Sequence, residues 1–215
     1  MLYKMKKLNK GTLALALICA VLINFSFVRD GGPLKAHQDK QFTWYGVDFR
    51  LAKFVGSSGF NDPDEISKHY LTKWNNIILE ESKKYDIKGA LKIKKYGYKI
   101  DWMIGQNSDV DVAANIQGDS YAITADAVKK HIKGYHGADG DGIGVAFIVE
   151  SFNKFDEKGY FWVTFFDEKT KEVIVSEKMN GKAKGFGLRN YWSGTMYDVI
   201  KQIGSTKQKK WFSKK

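Results

Sequence analysis

The sequence predicts an α+β domain, a mixed sheet with a C-terminal three-stranded antiparallel meander and about three packed helices. The first observation is a set of three apolar runs within residues 142–178, separated by short polar links, which is typical of consecutive antiparallel strands. The second is the amphipathic spacing of apolar residues in three other segments, which predicts helices. The composition, with 43% apolar and 14% aromatic residues, is that of a globular protein.

Residues 1–36 are predicted to be a signal peptide and a short linker. Four lysines within residues 4–10 precede an apolar run at residues 12–27, and a polar segment follows. This order of charge, apolar run and polar residues is typical of a secretory signal. An uncleaved signal anchor is the alternative, although the run is short for a membrane span of about 20 residues. Export to the periplasm or cell envelope, or secretion, is therefore expected.

The formal net charge of +11 belongs to the two ends of the chain. Residues 1–36 sum to +5 and residues 201–215 to +6, so residues 37–200 are formally neutral. A basic pI that comes from the termini does not indicate a polyanion-binding face, and no nucleic acid is expected as a partner. The single cysteine, Cys19, lies in the N-terminal apolar run. The mature body therefore has no thiol for a disulfide, a zinc site or a nucleophile.

A single domain is predicted at residues 37–203, in the order strand, helix, strand, helix, meander, helix. Residues 41–56 alternate between apolar and other side chains, which predicts the first strand. Asp62 is expected to cap the first helix, with Pro63 in its first turn, and the helix is expected to run to about Tyr85. The buried stripe of this helix is predicted to contain Ile66, Tyr70, Trp74, Ile77, Ile78 and Tyr85.

The rest of the domain is predicted from less regular patterns. A second strand is expected within residues 90–104, and a loop follows at residues 107–120. Thr124 is expected to cap a second helix, and a final helix follows Asn190. The side chains expected to face the core from these two helices are Val128, Ile132, Tyr135, Trp192, Met196, Val199, Ile200 and Ile203. Residues 204–215 are interpreted as a solvated basic tail.

The candidate ligand site is the glycine-rich basic loop at residues 181–190. Three glycines and two lysines precede a helix there, an arrangement in which backbone N–H groups can face an anion. The side chains expected to hold the ligand are Lys182, Lys184, Arg189 and Asn190. The alternative is a close connection in which the glycines let Phe186 and the backbone approach the sheet. The loop lacks the residues of a Walker A loop and of a dinucleotide fingerprint.

No catalytic residue and no metal site are assigned from the sequence, and no cofactor is expected. His136, Asp139 and Asp141 are a candidate for a metal site, although the segment departs from a calcium loop at both ends, and a polar turn is the alternative. The four histidines form no Ser/His/Asp set by spacing. An enzyme acting at the 181–190 loop would need an acid such as Asp48 as its base.

Four segments of the body resemble those of a known family. They read WYGVDF at residues 44–49, VESFNK at 149–154, WVTFFD at 162–167 and GFGLRNYW at 185–192. The family is one of exported single-domain proteins from Bacteroidota-type bacteria. It has no assigned activity, so the resemblance implies export and a single-domain fold and brings no catalytic residues. The order of elements also resembles periplasmic domains of envelope assembly machinery, such as curli secretion lipoproteins, in topology alone.

The expected function is a non-enzymatic binding or interaction protein of the cell envelope. It is motivated by the export signal, the folded body and the lack of a convergent catalytic set in the sequence. One alternative is an enzyme or binding protein for an anionic small molecule at the 181–190 loop. Another is a peripheral membrane protein that uses its basic C-terminal tail. The expected partners are an envelope protein or a small anionic ligand, with weak membrane-surface contact through the tail.

Overall fold

The computed structural model describes residues 32–136 and 140–213 of the 215-residue chain. The predicted signal peptide up to residue 31 and Asp139 of the candidate metal turn lie outside the described residues. At the centre of the fold is one seven-stranded sheet. Its strands are β1 Phe42–Asp48, β2 Lys53–Val55, β3 Tyr96–Tyr98, β4 Ile116–Gln117, β5 Ile143–Asn153, β6 Lys158–Asp167 and β7 Val173–Lys182.

Five of the strands run parallel, in the order β3-β1-β5-β2-β4. β6 pairs antiparallel along the whole of one edge of β5, so β1 and β2 lie end to end along its other edge. β3 flanks β1, and β4 flanks β2. β7 pairs antiparallel with β6 and forms the far edge of the sheet as described.

The predicted fold class is wrong. The chain forms a mixed α/β fold on a sheet in which five of the seven strands run parallel, and not an α+β fold organised by a C-terminal antiparallel meander. The apolar pattern of a strand shows its burial but not its partner, and parallel partners lie far apart in sequence because a crossover joins them. β2, β3 and β4 are also only two or three residues long, which is too short to show alternation.

Helices lie on both faces of this sheet. The α-helices are α1 Pro63–Glu65, α2 Leu71–Glu80, α3 Ile87–Leu91, α4 Ile100–Asn107, α5 Ala125–Ile132, α6 Gly187–Gln202 and α7 Gln208–Phe212. A π-helical turn at Ile66–Tyr70 joins α1 to α2, and another at Ile203–Lys207 joins α6 to α7. Three 3-10 turns lie at Lys35–His37, Ser57–Gly59 and Ala113–Asn115.

Two clusters of buried side chains occupy the two faces of the sheet. The larger cluster joins β1, β5 and β6 to α2, α3, α6 and α7, and Trp74 and Trp192 lie within it. The smaller cluster joins α4 and α5 to Tyr45, Ala146 and Phe166 on the other face. Every residue of β1 and β5 is buried, because both faces of these strands are covered.

The two predicted helix N-caps are confirmed, whereas the final helix begins at Gly187 and not after Asn190. The Asp62 carboxylate accepts a hydrogen bond from the Glu65 N–H at 3.0 Å, and the Thr124 hydroxyl accepts one from the Ala127 N–H at 3.1 Å. The side chains predicted to face the core from α5 and α6 are buried, as is Trp74. The first helix ends earlier than predicted, at Glu80.

The second strand predicted within residues 90–104 is wrong for most of its length. The end of α3, the three-residue strand β3 and the first half of α4 occupy this segment. Lys92 adopts a left-handed conformation, with φ 55°, and terminates α3. Only Leu91, Ile93, Ile100 and Met103 are buried in the segment. Their spacing fits neither a strand nor a single helix, because three elements share it.

Two buried asparagines bond to the backbone beyond the paired part of β1. β3 pairs with Phe42, Thr43 and Trp44, and among the described residues no strand pairs with Val47 or Phe49 on that side. Asn75 accepts from the Val47 N–H at 2.8 Å and donates to the Val47 carbonyl at 3.0 Å. Asn107 accepts from the Phe49 N–H at 2.9 Å and donates to the same Val47 carbonyl at 2.8 Å. These bonds satisfy backbone groups that would otherwise be buried without partners.

The C-terminal segment differs from the solvated tail that the sequence predicted. Residues up to Phe212 are helical, and the side chains of Trp211 and Phe212 are buried. The Leu34 N–H donates to the Trp211 carbonyl at 2.9 Å, and Leu34 is itself buried. Ordered structure therefore extends on both sides of the predicted range 37–203.

The lysines of this segment are partly neutralised by Glu177 of β7. Its carboxylate accepts from the ammonium groups of Lys207 and Lys210 at 2.6 and 3.1 Å and from the Trp211 indole N–H at 2.9 Å. Contact of this segment with a membrane surface stays a prediction. Among residues 32–136 and 140–213, no helix has the length and hydropathy that a membrane span needs.

Candidate functional site

The predicted 181–190 loop is shorter in the structure, because β7 ends at Lys182 and α6 begins at Gly187. The segment still joins β7 to α6 at close range. A Cβ atom on Gly181 would clash with the carbonyl of Thr195 in α6, and Gly185 has a φ of +136°, where a side chain would be strained. The interpretation of the loop as a close connection therefore holds for these two glycines. It is wrong for Phe186, whose side chain is 96% exposed and does not approach the sheet.

Lys182 and Lys184 line an open cleft on one side of this loop. The cleft has a volume of about 420 Å³ and is also lined by Lys84, which follows α2, and by Lys201 of α6. Asp198 is the one carboxylate among its lining residues, so the lining has a formal charge of +3, and the ammonium of Lys84 also pairs with Glu81 at 3.2 Å. We call this feature the lysine cleft.

The fold explains why these lysines converge. A Cβ atom on Gly194 of α6 would clash with the carbonyl of Lys184, so glycine lets the loop lie directly on the helix. The Asp198 carboxylate accepts from the backbone N–H of Lys182 at 3.1 Å and ties the end of β7 to α6. Within the part of the chain that the structure describes, no carboxylate lies at ion-pair distance from the ammonium groups of Lys182 or Lys184. Both charges are thus available to a ligand.

Arg189 and Asn190, the other two predicted ligand residues, do not line the cleft. The Arg189 guanidinium pairs with the carboxylates of Glu80 and Glu81 at 2.6 and 3.1 Å. The Asn190 amide donates to the Phe186 carbonyl at 3.2 Å. Arg189 therefore fixes the start of α6 to the end of α2, and Asn190 holds the loop itself.

A buried charged cluster lies at the carboxyl end of β1. Asp48 is 0% exposed, and its carboxylate accepts from Arg50 Nη2 at 2.6 Å and from the Tyr135 hydroxyl at 2.6 Å. His131 Nε2 lies 2.7 Å from the same carboxylate. Arg50 Nη1 donates to Gln106 at 3.1 Å, and the guanidinium lies 5.2 Å from the centre of the Tyr135 ring.

These contacts decide the protonation of Asp48. Burial alone would raise its pKa, but the bonds and charges of His131 and Arg50 outweigh burial and hold the pKa of Asp48 well below its ordinary value. Burial, together with Asp48, raises the pKa of Tyr135 well above its ordinary value. A carboxylate with this pKa and no exposed surface is a poor proton acceptor. The structure therefore does not support an enzyme that uses Asp48 as its base.

Sequence reasoning missed the partners of Asp48. His131 and Tyr135 are four residues apart and face the same side of α5 and the turn that follows it. They are more than eighty residues from Asp48 in the chain. The available signal was a pair of opposite charges, Asp48 and Arg50, at the end of a strand that is otherwise apolar and aromatic.

The candidate metal turn is only partly described. His136 and Asp141 are exposed, and Asp139 lies outside the described residues. Among residues 32–136 and 140–213, no group of three side chains is arranged to hold a metal ion.

No protein-family model matches this chain, and no curated protein and no solved structure matches it either.

Proposed function

We propose that this chain is an exported, non-enzymatic binding protein of the cell envelope that takes an anionic small molecule in the lysine cleft. The observation that carries the proposal is the convergence of four lysines from three segments around one cavity with a single aspartate. A cleft with one sign of charge concentrates ligands of the opposite sign. Export rests on the N-terminal sequence pattern.

The chemistry of the cleft favours a compact, multiply charged anion. Lysine ammonium groups act as point charges with three donors each, which suits phosphate and related anions without imposing one geometry. Asp198 is already bonded to the backbone of Lys182 and lies 3.5 Å from the Gln202 amide, so it serves the fold. The lining side chains thus supply attraction without an uncommitted carboxylate base, which favours binding over catalysis.

Changing Lys182 and Lys184 together to glutamine is expected to weaken binding of inorganic pyrophosphate by about ten- to thirtyfold. Each ammonium contributes about 1 kcal/mol to the attraction of an anion a few ångströms away in a wet cleft, and the variant removes two of them. Titration calorimetry at low salt measures the affinity. Raising the ionic strength is expected to weaken binding by the parent protein as well, because exposed charges are screened.

Lys129→Gln/Lys130→Gln is the matched control. It removes the same charge from α5, and neither lysine lines the cleft. This control is expected to bind pyrophosphate within about twofold of the parent. Equal affinity in the two double variants would place the site elsewhere and contradict the proposal. Melting temperatures should agree for all three proteins, since the exchanged side chains are exposed.

A further inference from the structure

A second cavity, of about 340 Å³, lies at the carboxyl ends of β4 and β5. Residues that follow β4 line one side, and the end of β5 with parts of β6 and β7 lines the other. Ligands of open parallel sheets commonly bind outside the carboxyl ends of the strands. None of the four lysines of the lysine cleft lines this cavity, so the two sites are separate.

A buried glutamate forms the floor of this cavity. Glu150 lies in a β-bulge of β5, because its neighbours Val149 and Ser151 pair with consecutive residues of β6. A bulge turns a side chain out of the regular alternation and is frequent beside functional sites. Glu150 is 1% exposed, and its carboxylate accepts from the Ile123 N–H at 3.0 Å and the Trp162 indole at 3.2 Å. The acceptor is therefore held in one orientation.

Lys178 of β7 forms an ion pair with this glutamate. Its ammonium lies 2.6 Å from Glu150 Oε1, and it also lies 5.8 Å from the ring centre of Tyr160. A ligand cation would have to displace this ammonium to reach Glu150. The cavity therefore does not favour a cationic ligand.

A second carboxylate, that of Asp156, lies at the rim of the cavity. Asp156 accepts from the Tyr160 hydroxyl at 2.8 Å and from the Asn153 amide at 2.9 Å, both through one carboxylate oxygen. Burial is the larger cause, and the hydrogen bond to Asp156 the next, that together raise the pKa of Tyr160 to about 12. The Tyr160 hydroxyl therefore stays protonated. The other oxygen of Asp156 has no bond from any residue that the structure describes. It remains an acceptor for a ligand.

We propose that this cavity binds a neutral, polyhydroxylated ligand such as a sugar unit. The second oxygen of Asp156 can accept a hydrogen bond, the ammonium of Lys178 can donate one, and hydroxyl groups of a ligand can do both. The rings of Tyr121 and Tyr160 offer apolar surface to the C–H groups of such a ligand. Two carboxylates against one ammonium disfavour an anion. A few fixed polar groups that converge on one cavity are what a small-molecule site requires.

Proton–nitrogen correlation spectra of the labelled protein test the proposal with glucose, galactose and N-acetylglucosamine. The Trp162 indole N–H and the Ile123 amide both donate to Glu150, so their signals report on the cavity floor. At least one sugar is expected to shift both signals in a saturable way below about 50 mM. The absence of a saturable shift with all three sugars and with a mixture of neutral oligosaccharides overturns the proposal.

Asp156→Asn is the diagnostic variant, because Asp156 is exposed and its change should leave the fold intact. It is expected to weaken sugar binding by about tenfold. Glu157→Gln, at the adjacent position outside the cavity, is the matched control and should bind as the parent does. Unchanged binding by Asp156→Asn overturns the proposal. The Lys182→Gln/Lys184→Gln variant should keep its sugar affinity, so failure of one site is distinguishable from failure of the other.

Discussion

Replacing Asp48 with asparagine is expected to lower the free energy of unfolding by about 3 kcal/mol. The change leaves the guanidinium of Arg50 and the ring of His131 facing a neutral group inside the protein. The figure is at the lower end for breaking a buried pair, because the Arg50 side chain keeps some contact with water. Urea unfolding followed by tryptophan fluorescence measures the change.

Asp126→Asn is the matched control for this substitution. Asp126 lies in the first turn of α5, its side chain is 91% exposed, and it pairs with Lys129 at 3.2 Å. Exposed ion pairs contribute little, so a change within about 0.5 kcal/mol is expected. Equal urea midpoints for the two variants would show that the Asp48 cluster does not stabilise the fold.

The same carboxylate makes stability depend on pH in a defined direction. The pKa of Asp48 is lower in the folded protein than in the unfolded chain, where it is about 4. The unfolded chain therefore binds more protons on acidification, and stability is lost as pH falls. The contribution is full above about pH 5 and declines below it. Asp48→Asn should show a shallower acid loss than the parent. Parallel curves would contradict the assignment, since Asp167 and Glu177 act alike in both proteins.

Replacing both Asn75 and Asn107 with leucine is expected to cost more than the sum of the two single changes. Each single variant leaves one buried N–H, that of Val47 or Phe49, without its acceptor, which costs about 1–3 kcal/mol. The Val47 carbonyl keeps one amide donor in either single variant and loses both in the double variant. The orphaned carbonyl should add about 1–2 kcal/mol of coupling.

A double-mutant cycle by urea unfolding measures this coupling. Asn76→Leu is the control, because Asn76 neighbours Asn75 in α2 but is only half-buried. Its effect should stay within about 0.5 kcal/mol. Strict additivity of the two single variants would contradict the shared role at the Val47 carbonyl. A double variant too unstable to purify would still allow the test in a stabilising osmolyte.

The parts of the fold that could be predicted from the sequence are those that depend on residues close together in the chain. Asp62 and Thr124 start helices because their side chains reach an N–H three residues on. Trp74 and Trp192 are buried because each lies on an apolar stripe of its helix. The strand partners were not predictable in this way. The residues of β1 and β2 do not indicate that these strands pair with β5. The shortest strands have too few residues to show an alternation of apolar and polar side chains.

The lysine cleft could likewise be predicted only as far as its residues are neighbours in the chain. Lys182 and Lys184 could be chosen from the sequence because they share one loop. Lys84 and Lys201 join them only through the fold. The sequence predicts Arg189 as a ligand residue because it is basic and close to these lysines in the chain. Its true partners, Glu80 and Glu81, lie more than one hundred residues earlier in the chain and reach it through the contact of α2 with α6.

The parallel pairing of β1 with β5 has a consequence for the order in which the molecule assembles. Phe42 pairs with Ile143, about one hundred residues later in the chain. Residues so far apart in the chain can pair only after a long loop has closed, and the entropy lost in closing that loop slows folding. The hairpin of β5 and β6 needs no such loop. In pulse-labelled hydrogen exchange during refolding, amides of β5 and β6 should gain protection before those of β1, and simultaneous protection would contradict this order.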